Sequence, residues 1–268
     1  VKMDKDDESD RQSGGIQSLD AALKLLSAMG GYLRPMSLSE LARDCGMPPS
    51  KVHRYLTSFL NAGLVVQAGK SGKYDLGEGA IALGLAALAR HDFVNRASDA
   101  LPELCLESGL TVLLSVWGTH GATVVRWERA ATPTVTSMGL GTILPLLNSA
   151  TGRAFLTWAP PAPLQAIREA ELRAARKASS TVNSQLRTEQ DIERMTETFR
   201  MRGFSSVEGR FIPGLVAIAA PILDWQGRAQ CVITLIGTDP AVTEPGSDAV
   251  RKLIGFCEKL SFSPIITG

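Results

Sequence analysis

The chain is poor in reactive side chains: its 268 residues hold four cysteines and three histidines. Cys45, Cys105, Cys231 and Cys257 lie far apart, show no Cys-x-x-Cys spacing, and sit in apolar or helical stretches where a buried free thiol is the ordinary state. That excludes a disulfide framework. His53, His91 and His120 are equally dispersed, and no His/Cys pair stands at metal-ligand spacing, so neither a metal nor a cofactor is expected. Ser149, Thr151, His120 and Cys231 offer nucleophiles and a base, but no Gly-x-Ser-x-Gly elbow or phosphate-cradling loop assembles them, and an enzyme is not expected. No apolar run reaches about 18 residues and no basic-then-apolar leader is present, which predicts a cytoplasmic protein with no membrane partner. Internal repeats are absent, and the formal net charge is only +1.

What is present is ordinary globular material, 44% hydrophobic and 21% charged, long enough for two domains with real cores. Ser37-Leu38-Ser39-Glu40 fits a capping box, and Cys45-Gly46 stops the helix it opens. Pro48-Pro49 then suits the entry to a second helix starting near Ser50. There Val52, Leu56, Phe59 and Leu60 form a core stripe, which leaves Ser50, Lys51, His53, Arg54, Thr57 and Ser58 facing away with groups that can donate to phosphates or base edges. Gly63 closes that helix, and residues 64–76 read as strand, basic Gly-rich turn, strand, with Lys70 and Lys73 in or beside the turn. Between Arg34 and Lys73 six Lys/Arg face two acids, so the window is +4 while the whole chain is nearly neutral. The order is that of a winged helix-turn-helix, a unit that puts a helix into the DNA major groove. Arg34, Ser37, Ser50, Lys51, His53, Arg54, Thr57, Lys70 and Lys73 are the candidate DNA contacts, with double-stranded operator DNA the expected partner.

Around this unit the chain divides further. Residues 1–15 hold five acids and almost no apolar side chain, and a disordered acidic tail is expected. Residues 16–77 form the DNA-binding domain, in which Ser18 is expected to cap a first helix with Leu19, Ala22, Leu23 and Leu26 as its stripe. Residues 78–94 are expected to be a linker helix, and its Ala/Leu-rich stretch to His91 suits burial either against its own chain or against a second copy. Residues 95–268 read as an effector-binding and oligomerisation domain. Helices are expected over 98–107, about 149–158, around Arg168 and Met195, and over 244–260. Strands are expected over 111–117, 123–128, 134–138, 216–223 and 229–236, with a polar loop over 177–183. This predicts an α+β fold: winged helix-turn-helix, linker helix, and an effector domain with a mixed, largely antiparallel sheet.

Asn148-Ser149-Ala150-Thr151-Gly152 opens an apolar helix with small residues, which suits either ordinary N-capping or a carboxylate held by free amides at a helix N-terminus.

Three stretches together resemble the IclR family of bacterial transcription regulators: LARDCGMPPSKVHRYLTSFLNAGL in the second helix region, LPLLNSATGRAFLTW over residues 144–158, and GF....GRFIPGLVAIAAPILDWQGR from Gly203. The resemblance implies a GAF-like effector domain that binds a small, often acidic metabolite, and a homodimer or homotetramer on operator DNA. It places the effector near Leu140, Leu146, Ser149, Ala150, Thr151, Gly152, Arg210, Ala217, Thr234 and Ile236, and a bulky residue at Gly152 is expected to block it there. Family members commonly carry an acid where this chain has Arg210, a cysteine at Ala217, and serines at Thr234 and Ile236. Fewer hydroxyls imply a larger or more apolar carboxylic acid, an aromatic one included. Arg210 either pairs with that carboxylate or is solvated on a loop. The remaining alternative is a DNA-binding protein that answers to no ligand.

Overall fold

A computed structural model describes residues 15–131, 138–177, 186–209 and 212–262, and the expected acidic tail, Arg210 and nearly all of the 134–138 strand and the 177–183 loop lie outside them. The chain divides into two compact units with the boundary between His91 and Asp92.

In the first unit α1 (Gln17–Gly30), α2 (Leu38–Cys45) and α3 (Pro49–Asn61) precede a hairpin of β1 (Val65–Ala68) and β2 (Lys73–Leu76), and α4 (Glu78–Ala89) follows. Each helix buries a stripe at helical spacing: Ala22, Leu25 and Met29 on α1, Leu41, Ala42 and Cys45 on α2, Val52, Leu56 and Phe59 on α3. On α1 this corrects the expected face, because Leu19 and Leu23 are exposed and Leu25 is fully buried. Ser18 is not the cap either. The helix starts at Gln17, so Ser18 already has helical backbone, and the carbonyl of Ile16 receives the N–H groups of Leu19 and Asp20 at 2.8 and 3.0 Å.

The cap of α2 is the expected capping box, and Gly46 adopts φ 63°, the left-handed conformation that lets Met47 N–H reach back to the Ala42 carbonyl. Between β1 and β2 the chain makes a single 3-10 turn, Gly69–Ser71. Met36 and Tyr74 exchange both backbone hydrogen bonds, so β2 is flanked on both sides and the hairpin is anchored to the segment before α2.

The helix expected over residues 78–94 is two helices. α4 ends at Ala89, and the Asp92 side chain accepts from Asn95 N–H at 2.9 Å to open α5 (Phe93–Ser108), five residues earlier than expected. The second unit continues through β3 (Thr111–Gly118), β4 (Gly121–Glu128), β5 (Ile143–Leu144), α6 (Ala150–Trp158), α7 (Pro161–Lys177), α8 (Glu189–Arg202), β6 (Ser205–Glu208), β7 (Val216–Leu223), β8 (Ala229–Gly237) and α9 (Asp248–Leu260). The last helix starts four residues later than expected because Ser247 is its cap, accepting from Val250 N–H.

The strands form one sheet in the order β5-β4-β3-β8-β7-β6, and every pairing is antiparallel, the far end of the mixed, largely antiparallel expectation. Helices cover both faces. Val112, Leu114, Ile218, Ile233 and Leu235 pack on α5 and α9, while Leu113, Val124, Ala219, Val232 and Ile236 pack on α6. Burial on both sides is why β7 and β8 read as nearly continuous apolar runs rather than alternating ones.

Candidate DNA interface and effector cavity

On α3 the buried stripe fixes the other face by geometry: Ser50, Lys51, His53, Arg54, Thr57 and Ser58 are all exposed. Among the described residues no acid pairs with Lys51, Arg54 or Lys73, so their charges are unneutralised. Lys51 Nζ stands 5.8 Å from the Tyr55 ring centroid, which orients it along the helix. Thr57 already donates its hydroxyl to the His53 carbonyl at 2.9 Å, so toward DNA it offers an acceptor first. Lys73 is exposed at the start of β2, and Lys70 lies in the 3-10 turn of the wing.

Two candidate contacts are committed inside the unit. Ser37 accepts from Glu40 N–H at 3.3 Å, and its own N–H and hydroxyl both donate to Glu40 Oε2 at 2.8 Å. Arg34 bridges the same carboxylate at 3.0 Å and stacks over Tyr32. The Ser37 N–H and hydroxyl, then the Arg34 guanidinium, hold the Glu40 carboxyl down at about 2. The structure therefore ties Ser37 and Arg34 to the α2 cap, a role their neighbourhood to Glu40 already signalled.

The second unit holds a cavity of about 40 Å³ between the sheet and the start of α6. Of the candidate effector residues Ser149, Ala150, Thr151, Ala217, Thr234 and Ile236 line it, together with Leu113, Met138, Leu144, Val207, Ile212 and Leu215, which the sequence alone did not single out. Pairing would have found several of these, since Leu113 stands opposite Thr234 and Val207 opposite Ala217. Among the described residues the lining is apolar apart from the Ser149, Thr151 and Thr234 hydroxyls. Thr151 and Thr234 share a hydrogen bond of 2.7 Å, while Ser149 donates to the Pro145 carbonyl at 2.6 Å and accepts from Gly152 N–H at 2.9 Å. Ser149 is thus an ordinary N-cap as well as a wall residue. Trp127, opposite Leu113 on the same sheet face, has a buried ring N–H with no hydrogen-bond partner among the described residues.

Other candidates lie elsewhere. Leu140 is 67% exposed and does not line the cavity, and Leu146 is buried in the core on that face of the sheet and borders a second, outer groove instead. Gly152 does not line the cavity. A Cβ there would stand 2.1 Å from the Pro145 carbonyl oxygen and 2.6 Å from Leu146 Cα, so this glycine lets α6 seat directly on the preceding turn, and a bulky residue would strike backbone rather than fill the cavity.

The outer groove, about 450 Å³, is lined by Trp117, His120, Ile143, Asn148, Ile167 and Glu171 among others, and shares Leu144 with the cavity. His120 is therefore separated from Ser149 and Thr151. Cys231 lies in the core on the other face of the sheet, its thiol pushed up to about 12 by burial. Among the described residues the structure therefore does not bring His120 together with Ser149, Thr151 or Cys231.

The profile of the IclR helix-turn-helix domain matches residues 18–69, and that of the bacterial transcriptional regulator IclR C-terminal domain matches residues 85–261. The chain is 29% identical over 246 residues to the transcriptional repressor IclR of Escherichia coli (strain K12), covering 89% of this chain and 88% of that one. It is 30% identical to the HTH-type transcriptional regulator BhcR of Paracoccus denitrificans, over 93% and 88% of the two chains. Among solved structures, Pseudomonas aeruginosa HmgR superposes with a TM-score of 0.79 at 33% identity, covering 92% of this chain and 97% of that one. The Agobacterium tumefaciens repressor BlcR shares the fold, with a TM-score of 0.68 at 22% identity over 93% and 97%.

Proposed function

We propose, from the premise that this chain belongs to the IclR family of transcriptional regulators and is not an enzyme, that it acts in the cytoplasm as a dimer or dimer of dimers. In this reading it sits on pseudo-palindromic operator DNA, with its affinity set by a small carboxylic acid. Binding DNA through the helix-turn-helix and an effector through the C-terminal domain is the business of the family. The observation that carries the finer reading is the outer face of α3, where Ser50, Lys51, His53 and Arg54 stand exposed in the first two turns, the part of a recognition helix that reaches base edges.

Dimerisation is supported by α4. None of its residues is buried, its only charge is Glu78, and Ile81, Leu83 and Leu85 are each about 60% exposed. A helix apolar on every side is stable in water only when something covers it, and a second copy also supplies the second recognition helix that a palindromic site requires. The cavity supports a compact acid: Ala150 and Thr151 amides open α6, where the helix dipole favours an anion, and the remaining wall is apolar. At about 40 Å³ it holds only about three waters, so an aromatic acid must widen it, a change that can be transmitted if the two states bind ligand unequally.

The reading is tested by titrating operator duplex, recovered by selection from random sequence, against salt. Lys73→Ala is expected to flatten the slope of log K against log salt by about 0.9, one phosphate contact. Replacing Ile81 and Leu85 by Glu is expected to give monomers in light scattering that protect at most a half-site. A dimer with wild-type affinity after that double change overturns the proposed interface.

A further inference from the structure

The strip made of β5 and the turn after it, residues 143–148, is a partition. Leu144 closes the cavity on its inner side, while Ile143, Pro145, Leu146 and Asn148 form a wall of the outer groove. Burial of the Leu146 and Leu147 side chains anchors this strip and β5 is paired with β4, but the backbone of Leu146 and Leu147 is held by charge. Glu171, on α7, accepts Leu146 N–H with one carboxylate oxygen at 2.7 Å and Leu147 N–H with the other at 2.9 Å. From α6, Arg153 donates Nε–H to the Leu147 carbonyl at 2.8 Å and a terminal N–H to the Ser206 carbonyl at 3.1 Å. Leu147 is thus gripped at its amide by an anion and at its carbonyl by a cation, each matched to the partial charge it meets. Ser206 precedes the wall residue Val207, so one guanidinium ties the partition to β6. Charge-assisted bonds of this kind are roughly twice as strong as neutral ones.

We propose that Glu171 and Arg153, neither of which lines the cavity, are positioning residues that fix its width and so its selectivity. Inward movement of the strip is stopped by α6, since the turn already rests on Gly152 without room for a Cβ. Outward movement meets the groove, where about 450 Å³ is open. The Glu171 carboxylate, from the groove side, and the Arg153 guanidinium, from α6, hold the strip in place between them. The selectivity part rests on reading the cavity as the effector site, whereas the width itself does not.

The test uses the full chain with amide hydrogen exchange and xenon as a probe of the apolar cavity. In Glu171→Ala the Leu146 and Leu147 amides are expected to exchange at least about tenfold faster, with strands β7 and β8 unchanged. Xenon-induced methyl shifts at Leu113, Leu144 and Val207 are expected to grow. Glu171→Gln, which keeps one carbonyl oxygen for one of the two amides, recovers part of the protection, and Glu169→Gln on the same helix changes neither readout. Unchanged exchange at Leu146 and Leu147, or acceleration spread evenly over the unit, overturns the role of Glu171. Faster exchange with an unchanged xenon response overturns the control of width. A failure of every carboxylic acid to alter DNA binding would count against the effector reading alone.

Discussion

α3 and α6 are both short helices, yet α3 buries three of its 13 residues and α6 seven of nine. On α3 the groups that matter are those that packing leaves out: Ser50, His53 and Arg54 carry no part of the core. On α6 they are shut in, with Thr151, Gly152 and Arg153 all under 10% exposed and each tied to a neighbouring element. On the proposed reading, recognition at the first site can therefore be altered without touching the fold, while at the second the recognition surface and the fold are the same atoms. On that reading the α3 face meets DNA without rearranging the core, whereas a ligand larger than the cavity has to widen it.

The largest effect that would sharpen this contrast is expected at Gly152. Even Gly152→Ala places a Cβ 2.1 Å from a backbone oxygen that cannot rotate away, and Gly152→Leu adds three further carbons. Overpacking against backbone in a close-packed interior is among the few mechanisms that exceed about 4 kcal/mol. Urea unfolding of Gly152→Leu should show the second unit lost or destabilised by at least that amount. A midpoint near wild type would mean that the turn yields freely, and the contrast between the two helices would fail on this side.

A smaller effect, of a different kind, is expected at Arg54. Arg54→Ala should cost about 1–3 kcal/mol of discrimination at one or two operator positions, the worth of a bidentate base contact. Thermal stability should stay within about 0.5 kcal/mol of wild type, as for a surface change away from packing. Equal weakening on operator and random duplexes would make Arg54 a phosphate contact that only sets position.

The first unit was nearly all legible because its signals are local. A capping box, a Gly stop, a Pro entry and a 3.6-residue stripe each act within a turn or two of chain, and α2 and α3 fall within a residue of the expected places. Reading failed where a local signal had a competitor: Ser18 looked like a cap, but the chain turns helical at Gln17, and on α1 two apolar stripes were present of which the core took the one with Leu25. In the second unit the strong strands β7 and β8 were plain, while the two-residue β5 and four-residue β6 are defined by their partners rather than by their own residues. The cavity was half legible for the same reason. Its α6 residues announce themselves as a run of small residues, but Leu113, Leu144 and Val207 become wall residues only through cross-strand register. Glu171 and Arg153 meet through the backbone of a third segment, a relation no spacing encodes.

The smallest effect concerns the two caps, and it separates the units by acid. The α2 cap contains an ionised carboxylate, Glu40, whereas the α6 cap is a hydroxyl alone, Ser149. Hydrogen bonds from the Ser37 N–H and hydroxyl, and the Arg34 ion pair, lower Glu40 from 4.5 to about 2 in the folded unit. A group held low in the fold stabilises it fully at pH values above its unfolded value and loses that contribution as pH falls through the folded one. The window is thus from about 4.5 down to about 2. Because Glu40 is solvent-accessible and its partners are screened, the contribution is modest. Asp191 and Asp248 in the second unit are also held below the usual carboxylate range, by the Thr188 hydroxyl and by Lys252 respectively, so acid alone would loosen both units. The informative quantity is the difference between wild type and Glu40→Gln, in which the carboxylate is gone while an acceptor for the Ser37 N–H remains. Amide exchange of α2 in wild type should be slower than in the variant at neutral pH, and the two should converge as pH falls toward 2, while α6 shows no difference at any pH. A gap at α2 that persists unchanged at low pH would mean that the cap works through shape and not through the charge of Glu40.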